Sequence, residues 1–91
     1  MDKAELHNPE GDKNFSIHFY GVTKIDRLRI RVLSHSLTFP DYSGDWKMCQ
    51  PFLQGDSDDW MMIEFWTDNI EAIIRGCEYI EKKLNIKIEG L

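Results

Sequence analysis

Nowhere in its 91 residues does the chain carry an apolar run approaching the roughly 18 to 20 residues that span a bilayer. Its opening stretch, Met1-Asp2-Lys3-Ala4-Glu5-Leu6-His7, also lacks the apolar centre of a secretory signal. These absences predict a soluble chain that stays in the cytoplasm and does not engage a membrane. Cysteine is scarce, with only Cys49 and Cys77, far apart and outside any Cys-x-x-Cys pair. Both are expected as reduced, buried thiols rather than as a redox or zinc site.

Positive charge is short as well. Eleven Lys plus Arg stand against sixteen Asp plus Glu, a formal charge of -5, which works against non-specific attraction to phosphate backbones. There is no Gly-rich phosphate loop, Gly-x-Ser-x-Gly elbow, His-Glu-x-x-His pair or internal repeat. His7, His18, His35, Cys49 and Cys77 are the soft-metal ligand candidates, and no two have the close spacing of a zinc site. The acidic turn Asp56-Ser57-Asp58-Asp59 departs from a calcium loop, because Trp60 and Thr67 occupy the fifth and twelfth positions, where oxygen ligands are required. No cofactor and no metal are therefore expected, and motifs lend no support to an enzymatic role.

What the chain does have is enough apolar material to fold. Hydrophobic residues make up 42% and aromatics 12%, well away from disordered compositions, and the length permits one modest core. Residues 1–14 are polar, end in a stretch containing Pro9 and Gly11, and read as a flexible arm, leaving 15–91 as one domain. Phe15 to Tyr20 alternates as a strand, stopped by Gly21. Thr23 to Phe39 reads two ways. As a strand, Leu28, Ile30 and Val32 alternate with Arg27, Arg29 and Arg31; as a helix, Ile25, Leu28 and Val32 share an apolar face that Leu33 and Leu37 widen. The helix is the stronger reading, because it takes in the whole segment and leaves 40–45 as a loop. Trp46 to Leu53 reads as a strand that Pro51 confines to an edge or a bulge, with the edge as the simpler choice. Trp60 to Trp66 is the strongest strand signal, and the two suggest a hairpin. Asp68 with Glu71 opens a helix whose Ile70, Ile73, Ile74, Cys77, Ile80 and Leu84 fall at helical spacing, with Lys82 and Lys83 in its last turn, Asn85 as its stop, and a short strand at 86–89.

This order, strand-helix-strand-strand-helix-strand, predicts a ferredoxin-like α+β sandwich: an antiparallel sheet with two helices on one face. Phe15, Ile17, Phe19, Met61, Ile63, Phe65, Ile86 and Ile88 would then point at the helices. Period two sends Ser16, His18, Tyr20, Trp60, Met62, Glu64, Trp66, Lys87 and Glu89 to the open side. An open face carrying His18, Tyr20, Trp60, Met62, Glu64 and Trp66 is an interaction surface in prospect.

Three uses of that face compete. In the first, two protomers pack their sheets together as a homodimer, completing a core that a short chain cannot finish alone, and act as a binding or regulatory module. In the second, the face floors a small-molecule pocket between paired sheets, with His18, Tyr20 and Glu64 as the polar groups of a small enzyme or binding site. The third is RNA stacking on the aromatics, opposed by Glu64 and by the acidic chain. Elsewhere, Lys24, Arg27, Arg31 and His35 form a basic stripe on the first helix, a solvated face or a secondary anion-binding candidate. Asp41, Tyr42 and Asp45 lie in a connecting loop.

Overall fold

Alternation of apolar and polar residues, twice over, builds the centre of the sheet. The computed structural model describes residues 1–8, 14–36, 47–48, 52–53, 59–66 and 70–90. Strand β1 (Lys3–His7) runs antiparallel to β2 (Asn14–Tyr20), and β2 runs antiparallel to β5 (Trp60–Trp66) along its whole length. Two short pieces, β3 (Lys47–Met48) and β4 (Phe52–Leu53), pair with β5 on its other side, and β6 (Ile88–Glu89) lies parallel to β1. The sheet order is β3-β5-β2-β1-β6, with β4 beside β5. Helix α1 (Lys24–Ser36) leads from β2 to β3, and α2 (Ile70–Leu84) leads from β5 to β6.

The chain is thus a small α+β protein with a mixed sheet and two helices, and the ferredoxin-like expectation is corrected in its strand order. Residues 3–7, read from the sequence as part of a flexible arm, form β1 and insert between β2 and the last strand. Because β1 reverses direction relative to β2, the last strand meets it in parallel, so the sheet is not wholly antiparallel. The physical reason is an alternation as regular as that of β2: Ala4 is fully buried and Leu6 packs against the core, while Lys3, Glu5 and His7 take the other side. Opposite β5, Met48 faces Phe65 whereas Phe52 faces Met62, four steps on one side against three on the other. Both pieces lie at the edge of the sheet, where the pattern placed this segment; Pro51 itself, with Cys49, lies outside the described residues.

One cluster unites the strands' inner face (Ala4, Phe15, Ile17, Phe19, Met61, Ile63, Ile88) with Ile30 and Leu33 of α1 and Ile73, Cys77, Ile80 and Leu84 of α2. Fully burying side chains of this size contributes about 1.5–3 kcal/mol each. The helix ends are closed locally. Thr23 caps α1 in a reciprocal box: its Oγ1 accepts the Asp26 N–H at 3.1 Å, and Asp26 Oδ2 accepts the Thr23 N–H at 3.1 Å. The Met1 amino group sits 2.9 Å from the same carboxylate oxygen. That amino group and the Thr23 N–H hold the Asp26 carboxyl below its usual range. At the end of α2, Asn85 adopts φ 53°, and the Ile86 N–H reaches the Glu81 carbonyl at 3.3 Å. This is a Schellman closure, accompanied by the packing of Ile86 on the core. Glu81 Oε2 then accepts the Ile88 N–H at 2.7 Å, tying β6 to α2. Gly21 (φ 67°) ends β2 where Asp2 crosses it so closely that a Cβ would collide with the Asp2 carboxylate.

Helix α1 turns a different side inward than its pattern predicts. Ile30, Leu33 and Ser34 are buried, and Ile25, Leu28 and Val32, read as the core stripe, are 70%, 65% and 69% exposed. Two apolar stripes compete on this helix. The Thr23 box at its start and the Arg29 side chain, which donates to the Lys83 carbonyl at 3.0 Å, are consistent with the rotation that buries the second.

Two outcomes follow for the core. Ala4→Asp should destabilise the fold by about 3 kcal/mol or more in a denaturant titration, as an unpaired buried charge does, whereas a position on a mobile arm would shift by less than about 0.5 kcal/mol. Cys77 is buried in α2, where desolvation, then Glu81 and Glu78, push its thiol up to about 12. In a Cys49→Ser chain, Cys77 should therefore resist a thiol reagent under native conditions and react at the rate of unfolding; rapid native labelling would contradict this placement.

Candidate functional site on the open sheet face

Register assembles the open face in three rows. Lys3, Tyr20 and Trp60 lie side by side, then Glu5, His18 and Met62, then His7, Ser16 and Glu64. Except for the exposed Lys3 and the buried Ser16, these residues are partly exposed, in contrast to the fully buried Ile17, Phe19, Met61 and Ile63 on the reverse of the same strands. Of the residues expected here, His18, Tyr20, Trp60, Met62 and Glu64 are brought together. Trp66 is the last residue of β5 and His35 belongs to α1, but their side chains lie outside the described residues, as do Asp41, Tyr42, Asp45, Asp56, Asp58 and Asp68.

His18 is the hub. Its ring stacks on that of His7 with centroids 4.0 Å apart and planes 27° from parallel, and it meets Trp60 edge-on at 5.3 Å. Tyr20 lies 6.4 Å away, and Ser16 Oγ stands 3.0 Å from His18 Nε2, the donor being set by the tautomer. Burial, then the neighbouring His7, lower the His18 pKa against the opposing pull of Glu5. The carboxylate next to this imidazole is thus Glu5. Glu64, grouped with His18 and Tyr20 by the strand alternation, faces Ser16 across the ladder and is diagonal to His18.

Glu5 gathers the polar groups. Desolvation would raise its pKa, but the Tyr20 hydroxyl, Lys3 and His7 together hold it below the ordinary carboxylate value. Lys3 Nζ is 3.5 Å from Glu5 Oε2 and 5.2 Å from the centre of the Tyr20 ring. His7 Nε2 is 3.4 Å from Glu5 Oε1, within electrostatic reach but without a well-formed hydrogen bond, and this nitrogen is closed to solvent with no hydrogen-bond partner among the described residues. Desolvation, then Glu5, raise the Tyr20 pKa. Lys3, Glu5 and His7 were missing from the sequence-derived site, and the signal that could have found them is the strict alternation of residues 3–7.

The face offers a row of Lys3, Tyr20 and His7 gathered around the Glu5 carboxylate, beside an aromatic and thioether surface from Trp60 and Met62. Glu5 and His18 are neighbours across the β1–β2 ladder, and their interaction is electrostatic. Among the described residues no group of three or more His, Cys, Asp or Glu is arranged to hold a metal ion, and no helix is long and apolar enough to cross a membrane. Comparison of the chain with family models, with curated proteins and with solved structures gives no match.

A base whose pKa is lowered in the folded chain binds fewer protons than its unfolded counterpart. The contribution of His18 to stability is therefore fully present above the unfolded value near 6.5 and is lost as pH falls through the folded one. Acidification from neutral to about pH 5.5 should lower Tm, and His18→Gln should flatten that slope. An identical slope in the variant would show that His18 does not carry it. Glu5 acts lower, stabilising above 4.5 and losing its effect as pH falls further, so the two windows separate.

Proposed function

We propose that this protein is a small binding module that self-associates as a homodimer through the open face of its sheet. The observation that carries this reading is the asymmetry of β2 and β5: one side is sealed by two helices, while the other leaves Trp60, Met62 and the His18 ring partly exposed on the two central strands. A two-fold partner covers such a face with its own copy, pairing apolar rows and matching Lys3 to Glu5 or Glu64 across the axis. The three described rows cover about 300–400 Å² per protomer, judged from strand spacing and rise, which is below the ~800 Å² per partner of a standard stable interface. The association is therefore a weak, concentration-dependent one, micromolar or weaker.

Mass measured by light scattering over a dilution series tests this. The wild-type chain should pass from monomer to dimer, and Trp60→Ala should raise the dimer Kd by roughly tenfold or more, as loss of an aromatic anchor does. A chain monomeric at millimolar concentration, or a Trp60→Ala dimer of unchanged strength, ends the proposal.

A second reading places a small polar ligand between the paired sheets. The contact of His18, Tyr20, Glu5 and His7 favours it, since convergent titratable groups beside apolar walls are what such a site needs. In this reading His18 and Tyr20 keep the roles the sequence gives them, and Glu5 takes the place of Glu64. The nucleic-acid alternative draws no support from a face to which Glu5 and Glu89 add further negative charge.

A further inference from the structure

The outward side of α1 is unlike the rest of the molecule. Ile25, Leu28 and Val32 form a largely exposed apolar stripe along about 10 Å of helix. On one flank of the stripe, Lys24, Arg27, Leu28 and Arg31 line a cleft of ≈ 330 Å³. On the other flank, Leu28, Val32, Leu33, Tyr79 and Leu84 line a groove of ≈ 410 Å³ between the helices, with Arg29 and Lys83 at its side.

The chain has sixteen Asp and Glu residues, yet among the described residues none neutralises the cations along α1. No ion pair joins Lys24, Arg27 or Arg31 to a carboxylate among the described residues, and Asp26, the one acid of α1, is occupied by the Met1 amino group and Thr23. Arg27 Nε is closed off from solvent and has no acceptor among the described residues, so the outer nitrogens of its guanidinium are the ones a docking carboxylate would meet. Apolar anchors with cations on both sides complement an apolar ridge bordered by carboxylates.

We infer that α1 and the α1–α2 groove form a docking site for an acidic amphipathic helix of another protein. Such a helix lays anchors at i, i+3, i+4 and i+7 onto Leu28, Val32 and the groove, while its flanking Asp and Glu meet Arg27, Arg31 and Lys83. An anionic membrane is a poorer fit. A flat lipid surface would also meet the exposed Glu71 and Glu78 of α2 and the net charge of -5, whereas a single helix touches only the groove. This surface lies on the opposite side of the molecule from the open sheet face and does not depend on the reading of that face.

The test uses the full chain and a fluorescently labelled peptide built of Leu and Glu, with Leu at i, i+3, i+4 and i+7, read by anisotropy. The peptide should bind, and binding should weaken as salt rises. Its counterpart with Lys in place of Glu should not bind. Leu28→Asp, and separately Arg27→Glu with Arg31→Glu, should each weaken binding by roughly tenfold or more. Because Leu28 is exposed, Leu28→Asp should leave Tm and the dilution profile of the chain unchanged. The inference is overturned if no Leu/Glu peptide binds at millimolar concentration, if the Lys peptide binds equally, or if Leu28→Asp has no effect. It is equally overturned if Leu28→Asp instead abolishes binding to phosphatidylserine-containing vesicles that the peptide cannot displace, which identifies a lipid surface. A change in the chain's own dilution profile on Leu28→Asp identifies a second copy as the occupant and likewise overturns it.

Discussion

The backbone ladder between Lys3–His7 and Asn14–Tyr20 is the constraint through which the two sides of this molecule are connected. By pairing with β2, β1 sends Ala4 and Leu6 into the core and, with the same period, Lys3, Glu5 and His7 onto the open face. It also occupies the side of β2 where the last strand would otherwise lie, so β6 must pair with β1 and in parallel. A one-residue slip of this ladder would bury three charged or titratable side chains and expose two apolar ones. Core and candidate site are therefore specified by a single register.

The same coupling explains the electrostatics of the face. Without β1, His18 would lie beside Ser16, Tyr20, Trp60 and Met62, with Glu64 as the nearest carboxylate along the neighbouring strand. With it, His18 acquires a stacked imidazole and Glu5 as carboxylate neighbour, and Glu5 acquires a lysine, a tyrosine hydroxyl and a histidine. A loose aromatic patch becomes an organised polar row next to an apolar one.

Periodicity made most of the helices and central strands legible in the sequence. The spacing from Ile70 to Leu84 and the alternation in 15–20 and 60–66 leave one reading each, and Asn85 takes the left-handed conformation its position requires. Three features were not legible, for separate reasons. Residues 3–7 alternate, but Ala4 is a weak strand former and the Pro9–Gly11 stretch that follows is polar, so composition outweighed pattern. Helix α1 carries two apolar stripes of similar length, and local sequence cannot tell which one the Thr23 box and the Arg29–Lys83 contact turn inward. The carboxylate partner of His18 depends on which strands are neighbours, and neighbour relations are a long-range property. The strand order and the carboxylate beside His18 both follow from the insertion of β1.

The described edges of the sheet are short. Among the described residues, one side ends in the two-residue β6, and the other in two two-residue pieces offset by one position relative to β5. An uninterrupted row of free N–H and C=O groups is what recruits a foreign strand or seeds cross-β stacking, and each described border piece is only two residues long. A foreign strand seeking a template along these pieces would find room for a single rung or two before the register is interrupted.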